Sequence, residues 1–139
     1  MRASPVMGIG PWLYAAAAYN LVWGALHALT PSLVPRLLGL GAIDPLVWQA
    51  LGLFVAVYAP AYAWAARNPE RHAHLVAIAV LGKLSGLLGF AWAVSSGALP
   101  PRFGLVVLTN DLIWLPAMLL YLHAAAGRSG GWRAFAAGA

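Results

Sequence analysis

Four long apolar runs dominate the chain, and the polar residues cluster in the short stretches between them. The runs cover residues 12–30, 46–66, 74–97 and 103–124. Each is close to the ~20 residues that a helix needs to cross a bilayer core of ~30 Å. The stretches between them carry helix-stop, cap and turn signals: Pro31, Asp44-Pro45, Arg67-Asn68-Pro69-Glu70 and Pro100-Pro101. The pattern predicts an all-α polytopic membrane protein, a bundle of four transmembrane helices.

The segments outside the four runs have their own patterns. In the connection 31–45, apolar residues at Leu33, Val34, Leu37 and Leu38 favour a short helix lying in the membrane interface. We place the transmembrane domain at 1–126 and expect the Gly- and Ala-rich tail 127–139 to be mobile. The first run is longer than a signal-peptide core, so we interpret it as a retained transmembrane helix.

Composition supports a membrane protein. Hydrophobic residues make up 63% and charged residues 8% of the chain, whereas soluble domains carry roughly 25% charged residues. Many of the seven Trp and five Tyr residues lie near the ends of the runs, as in an aromatic belt.

The arginines predict an orientation in the membrane. Arg2, Arg67, Arg71, Arg128 and Arg133 fall on one side of the predicted bundle, and Arg36 and Arg102 fall on the other. By the positive-inside rule both termini lie in the cytoplasm, and we expect a multi-pass protein of the bacterial inner membrane. The basic residues are scattered, so no nucleic-acid partner is expected.

Several kinds of chemistry are excluded by the residues present. The chain has no Cys, which removes thiolate metal sites and iron–sulfur clusters. It has no P-loop, dinucleotide fingerprint, GxSxG elbow or HExxH motif. A haem held by two histidines is not expected, because His27 and His123 lie at opposite ends of the predicted bundle.

Five polar residues fall inside the predicted hydrocarbon region. At ~1.5 Å per residue, Asn20 and Lys83 lie roughly 12–15 Å from the cytoplasmic side, and His27, Asn110 and Asp111 roughly 20–22 Å. A charged residue at this depth costs about 2.5–3.5 kcal/mol on insertion scales. We therefore expect these side chains to face one another or a wet cavity, with Lys83 long enough to approach Asp111.

Helical spacing places aromatic residues beside these polar groups. The predicted ligand-binding set is Asn20, Trp23, His27, Tyr58, Lys83, Asn110, Asp111 and Trp114. Within it, Asp111, His27 and Lys83 are the candidates for acid–base chemistry. The spacing Gly82-xxx-Gly86 and the nearby Gly89 favour close helix contact. Pro60 and Pro116 each free a main-chain carbonyl near the same interior. The polar residues around Lys83 and Asp111 form either a functional pocket or a buried ion pair that fixes helix register.

A second cluster lies at the predicted cytoplasmic edge, where Glu70, His72, His74 and His123 carry groups that suit a divalent metal. The spacing His72-x-His74 is loose, and interfacial histidines beside a helix start give the same pattern. We therefore assign no metal to this chain.

Two stretches carry a resemblance to a known family. The sequence Trp23-Gly24-Ala25-Leu26-His27, followed by Pro31 and Gly39-Leu40-Gly41, resembles the opening helix of DoxX-like membrane proteins. The pairing of GKLSG (82–86) with NDLIW (110–114) is similar to that of small bacterial membrane proteins of this size. The resemblance implies a four-helix bacterial protein with an accessory role in quinone-linked redox chemistry, and it assigns no catalytic residue.

Three functions remain open from the sequence. The first is a redox-accessory protein that binds a lipid or a quinone between its helices, with Lys83 and His27 bonding the polar group. The second is an intramembrane enzyme that uses Asp111 or His27 as acid or base. The third is a small proton-coupled transporter in which Asp111 titrates. Expected partners are membrane lipids, and either a second membrane protein or a second copy of the chain.

Overall fold

The computed structural model describes residues 8–41 and 43–138, and this part of the chain contains helices and turns but no strand. The helices in chain order are α1 (Ile9–Leu29), α2 (Leu33–Leu37), α3 (Pro45–Ala56), α4 (Tyr58–Arg67), α5 (Ala73–Ser95), α6 (Gly104–Val107), α7 (Leu115–Arg128) and α8 (Trp132–Ala136). A 3-10 turn (Pro101–Phe103) precedes α6, and a π-helical turn (Leu108–Leu112) follows it. The predicted all-α class is confirmed.

Local signals explain how the second apolar run folds. The Asp44 carboxylate accepts a hydrogen bond of 2.8 Å from the N–H of Leu46, so it caps α3 as the sequence predicts. The run is then interrupted at Val57, between α3 and α4. The cause is Pro60, which has no N–H to offer to the carbonyl of Ala56.

Three helical stretches are long and apolar enough to cross a membrane. They are Pro45–Arg67, Ala73–Ser95 and Pro101–Arg128. Together with the many large apolar side chains exposed on the outer surface, they indicate a membrane protein. α1 has 21 residues but is not among the three, since Asn20, His27 and its aromatic residues lower its mean hydropathy. The expected number of four spans is therefore not confirmed.

The helices enclose an apolar core at one end of the bundle. α1 lies along α3 and α4, and α5 lies against α4 and α7. The apolar core sits where α1 and α5 begin and where α4 and α7 end, and it includes Leu13, Tyr62, Val76 and Met118. Small alanines fill much of this core, so the helices approach closely there. Two cavities lie beside this core, and their lining includes residues of α3, α5 and the π-helical turn.

The C-terminal tail, which we expected to be mobile, folds back onto the bundle. The chain turns at Gly130 and Gly131, whose φ angles of 84° and 120° suit glycine. It then forms α8, where the Phe135 side chain is buried and stacks on His74 with ring centroids 4.5 Å apart. Aromatic packing thus holds the tail against the start of α5. Arg2, which entered the arginine count, lies outside the described residues.

Candidate functional site

Lys83 on α5 and Asp111 in the π-helical turn form an ion pair. The Lys83 ammonium nitrogen lies 3.3 Å from Oδ1 of Asp111, and the two side chains are 7% and 13% exposed. Lys83 also donates a hydrogen bond to the main-chain carbonyl of Asn110. The side-chain amide of Asn110 donates to the same Asp111 oxygen at 3.2 Å. Within residues 8–41 and 43–138 this is the one ion pair.

The turn that carries Asp111 is wider than an α-helical turn. The N–H of Ile113 donates to the carbonyl of Leu108, five residues back, at 3.2 Å. The N–H of Trp114 donates instead to the carbonyl of Asp111, also at 3.2 Å. Pro116 has no N–H to continue the ladder. Single π-helical turns inside helices recur at functional sites.

The widened turn releases two main-chain carbonyls, and side chains bind both. The carbonyl of Thr109 accepts a hydrogen bond of 3.0 Å from the indole N–H of Trp114. The carbonyl of Asn110 accepts the bond from Lys83. An unpaired carbonyl at membrane depth costs several kcal/mol. Lys83 therefore stabilises the main chain of the turn as well as the charge of Asp111.

A cavity of about 200 Å³ lies beside the ion pair, between α5 and the α3–α4 stretch. We call it the polar cavity. Phe54, Tyr58 and Tyr62 line one side, and Lys83 and Asp111 line the other. The rim residues are exposed, and they lie on α3 and α5: Leu51, Phe54, Gly82 and Gly86. The cavity thus opens at the side of the bundle.

Glycines on α5 keep this space open. A Cβ atom added at Gly82 would lie 3.4 Å from the hydroxyl of Tyr58, and one at Gly86 would lie 3.4 Å from Oδ2 of Asp111. At Gly89 an added Cβ would meet nothing within 4 Å. The sequence predicts that these glycines allow close contact between helices. In the structure they line the cavities instead.

The polar groups of the cavity retain unused hydrogen-bonding capacity. Oδ1 of Asp111 accepts two bonds, whereas Oδ2, which faces Gly86, accepts none from the described residues. The ammonium of Lys83 has three N–H donors and uses two. Asn20 is 3% exposed and donates to the Val55 carbonyl at 3.2 Å, but its own Oδ1 has no partner among the described residues. The site therefore offers both a donor and acceptors to a ligand.

A second cavity, of about 190 Å³, adjoins the first. We call it the apolar cavity. It shares Leu51, Val55, Gly86, Asn110 and Asp111 with the polar cavity. From there it extends towards an apolar wall formed by Trp23, Gly89, Phe90 and Phe103. The side chains of Asn110 and Asp111 thus lie where the two cavities meet.

The predicted site residues are brought together only in part. Asn20, Tyr58, Lys83, Asn110 and Asp111 line the polar cavity, and Trp23 lines the apolar cavity. His27 and Trp114 line neither cavity. Trp114 packs between Trp12 and Tyr19, with ring centroids 5.3 Å from each.

His27 lies in an aromatic stack rather than at the ion pair. It is 1% exposed, and its ring centroid lies 3.5 Å from that of Trp23 and 5.6 Å from that of Trp48. Its Nδ1 is bonded to the Trp23 carbonyl at 2.7 Å, while its Nε2 has no partner among the described residues. Trp23 and His27 share a helix face as predicted, but only Trp23 reaches a cavity that Asp111 lines, while His27 packs between Trp23 and Trp48 of α3.

The predicted ligand-binding set does not include Tyr62 or the α5 glycines. Helical spacing alone places Tyr62 on the same face as Tyr58, and Gly86 on the same face as Lys83. The glycines carry no side-chain signal, and only the position of the facing helix shows whether they pack or leave space.

The histidines at the predicted cytoplasmic edge do not form a metal site with Glu70. The Nε2 of His74 lies 2.6 Å from the Phe135 carbonyl and is used in holding α8. His123 and Glu70 are both exposed. In the part of the chain that the structure describes, no three His, Cys, Asp or Glu side chains are grouped closely enough to hold a metal ion.

Comparison with protein-family models, with curated proteins and with solved structures gives no match to this chain. The geometry of the two cavities and of the ion pair between them is therefore the basis for a functional proposal.

Proposed function

We propose that this protein binds a lipid-soluble molecule with a carbonyl or hydroxyl group, in particular a quinone, in the polar cavity. The observation that carries the proposal is the partly satisfied Lys83–Asp111 pair, which retains one N–H donor and one carboxylate oxygen at a side opening of the bundle. Polar groups inside a membrane protein are costly and usually functional. A pair that served only to fix helix register would need no adjoining cavity.

The depth of the opening favours a ligand from the lipid phase. Lys83 lies near the middle of the span Ala73–Ser95, about 15 Å from its start. The rim glycines Gly82 and Gly86 lie at the same height. An opening at this depth faces hydrocarbon, so the molecules that reach it are those dissolved in the membrane.

The hydrogen-bonding groups match both redox forms of a quinone. A quinone carbonyl accepts the remaining N–H of Lys83, and a quinol hydroxyl donates to Oδ2 of Asp111. The volume is adequate, because an apolar cavity of about 150 Å³ is enough to hold benzene. The rings of Tyr58 and Tyr62 flank the site, as aromatic walls often flank planar ligands. The resemblance to DoxX-like proteins supports a redox-accessory role.

Binding fits the geometry better than acid–base catalysis by Asp111 with His27. Such an enzyme needs both groups at one cavity, but His27 is enclosed by Trp23 and Trp48. A ligand in the polar cavity contacts Asp111 and Lys83, but it does not contact His27, the third acid–base candidate.

We further propose four spans, with α1 as the first, in a bacterial inner membrane and with both ends in the cytoplasm. The 21 residues of α1 form a helix about 31 Å long, which matches the thickness of a bilayer core. It lies along α3 and α4, so it shares their depth. The arginine distribution supports the orientation.

Binding in nanodiscs tests the proposal. Purified protein is titrated with a benzoquinone, and binding is compared with that of empty nanodiscs. Gly82→Leu fills the polar cavity and is expected to abolish saturable binding, whereas Asp111→Asn is expected to weaken binding of the reduced form about tenfold, or ~1.4 kcal/mol.

The matched control is Asp44→Asn, which changes an exposed carboxylate that lines neither cavity and keeps a good helix cap. It should bind like the wild type. The proposal fails if the wild type shows no saturable binding, or if Gly82→Leu binds as well as the wild type.

A further inference from the structure

We infer that the ligand is an elongated single-chain molecule in which a ring that bears the carbonyl or hydroxyl group carries a long apolar chain. The ring occupies the polar cavity, the carbonyl or hydroxyl lies at Asp111, and the chain extends into the apolar cavity. This inference rests on the proposed function and adds the shape of the ligand to it.

The first support is the way the two cavities join. They share residues from both walls, with Leu51 and Val55 on α3 facing Gly86 and Asp111 across the gap. The polar cavity extends from this junction along α5 as far as Ala79, and the apolar cavity extends the opposite way to Phe90. At ~1.5 Å per residue the two cover about 16 Å of the helix. The polar groups lie near the centre of that length.

The second support is the chemistry of the apolar cavity. Away from the junction its lining is formed by carbon-rich side chains, among them Trp23, Leu99 and Val106. The ring of Phe90 lies beside Gly104, where an added Cβ would be 3.2 Å from the ring, and its centroid lies 6.1 Å from that of Phe103. A predominantly apolar wall without charged side chains suits a hydrocarbon chain.

The third support is the absence of a side chain at Gly89. A Cβ added there would meet nothing within 4 Å, so the backbone itself forms part of the cavity wall. Glycine in a helix interior costs about 1 kcal/mol relative to alanine. A cavity of about 190 Å³ has room for one narrow chain beside this backbone.

The same geometry argues against a diacyl phospholipid as the specific ligand. Its charged head lies at one end of the molecule, and placing that head at Asp111 would bring it to the middle of the membrane. A single-chain molecule whose only polar atoms are carbonyl or hydroxyl oxygens avoids this cost.

The test compares two probes in nanodiscs, a benzoquinone without a chain and the same ring carrying a long alkyl chain. Affinities are expressed against the probe concentration dissolved in the lipid, so that partitioning does not contribute. The wild type is expected to bind the long-chain probe about tenfold more tightly, equivalent to ~1.4 kcal/mol. Gly89→Leu, which fills the apolar cavity, is expected to remove this preference and leave binding of the chainless probe unchanged.

The control is Leu88→Phe, which enlarges the neighbouring residue on the outer surface, where Leu88 is 73% exposed. It should keep the preference. The inference is overturned if the wild type binds both probes equally, if Gly89→Leu retains the preference, or if Leu88→Phe loses it too. If neither probe binds the wild type, the proposed function itself fails.

Discussion

Lys83 makes a larger contribution to the site than Asp111 does. Its ammonium neutralises the carboxylate and also bonds the Asn110 carbonyl that the π-helical turn releases. Asp111 accepts bonds at one oxygen only and leaves the other facing the cavity. Removal of Lys83 therefore leaves the buried charge of Asp111 bonded only by the Asn110 amide and leaves the Asn110 carbonyl without a donor, whereas neutralisation of Asp111 leaves Lys83 bonded to the main chain.

We predict an order of stability for variants of this pair. Lys83→Met should cost about 3 kcal/mol, as expected for a buried pair that loses one partner, and Asp111→Asn about 1 kcal/mol. The double variant should lie between them, because it removes the unpaired charge but still leaves the Asn110 carbonyl without its donor. The measurement is the unfolding free energy in mixed micelles, with Leu84→Met as the control. Equal losses from the two single variants would contradict this account.

The approach of Lys83 to Asp111 could be predicted from sequence because both lie within long helical stretches, where depth follows approximately from residue number. The bond from Lys83 to Asn110 could not. It depends on the π-helical turn, and the sequence shows only that Pro116 releases the carbonyl of Leu112. The position of the His27 side chain could not be predicted from sequence either, because it depends on how far α1 is rotated about its axis relative to α3.

At the scale of helices, that rotation is fixed by a crossing between α1 and α3. A Cβ atom added at Gly24 would lie 2.6 Å from the carbonyl oxygen of Gly52, and one at Gly52 would lie 2.7 Å from Cβ of His27. Both helices carry a small-xxx-small pattern at this contact, Gly24-xxx-Ala28 on α1 and Gly52-xxx-Ala56 on α3. The similar pattern on α5, Gly82-xxx-Gly86, lines the polar cavity.

We predict that Gly24→Ala destabilises the protein by about 1–3 kcal/mol, because the added methyl group forces the backbones of α1 and α3 apart. Gly127→Ala is the matched control, since Gly127 lies in α7 and an added Cβ there meets nothing within 4 Å. It should be neutral or slightly stabilising. Unfolding free energies in the same micelles compare the two. A Gly24→Ala variant as stable as Gly127→Ala would show that the crossing is not tight.

For the whole molecule, the helix order and most boundaries follow from sequence. Asp44-Pro45 begins α3 as predicted, and the long third run forms α5 within two residues of its expected ends. The fourth run is less regular than predicted, because the 3-10 and π-helical turns divide it. The docking of α8 was not predicted, since a short Gly-rich tail gives no periodic signal and depends on a contact between Phe135 and His74.

Cysteine labelling tests the proposed four-span topology, because the natural chain has no Cys. Single cysteines replace Gly8, Ser32, Ser96 and Ser129, one at a time, and intact cells are treated with a membrane-impermeant maleimide. With four spans, Ser32→Cys and Ser96→Cys should be labelled from outside, and Gly8→Cys and Ser129→Cys only after lysis. If α1 does not cross the membrane, positions 8 and 32 will instead be labelled alike.

The central claim is that the Lys83–Asp111 pair bonds the polar group of a lipid-soluble ligand. Infrared difference spectroscopy of a quinone with isotopically labelled carbonyl groups tests it most directly, because the carbonyl stretching frequency falls when the oxygen accepts a hydrogen bond. We predict a lowered frequency for the quinone bound to the wild type and to Asp44→Asn, and no lowering with Lys83→Met. A carbonyl band in the wild-type protein at the same frequency as in protein-free lipid would contradict the account.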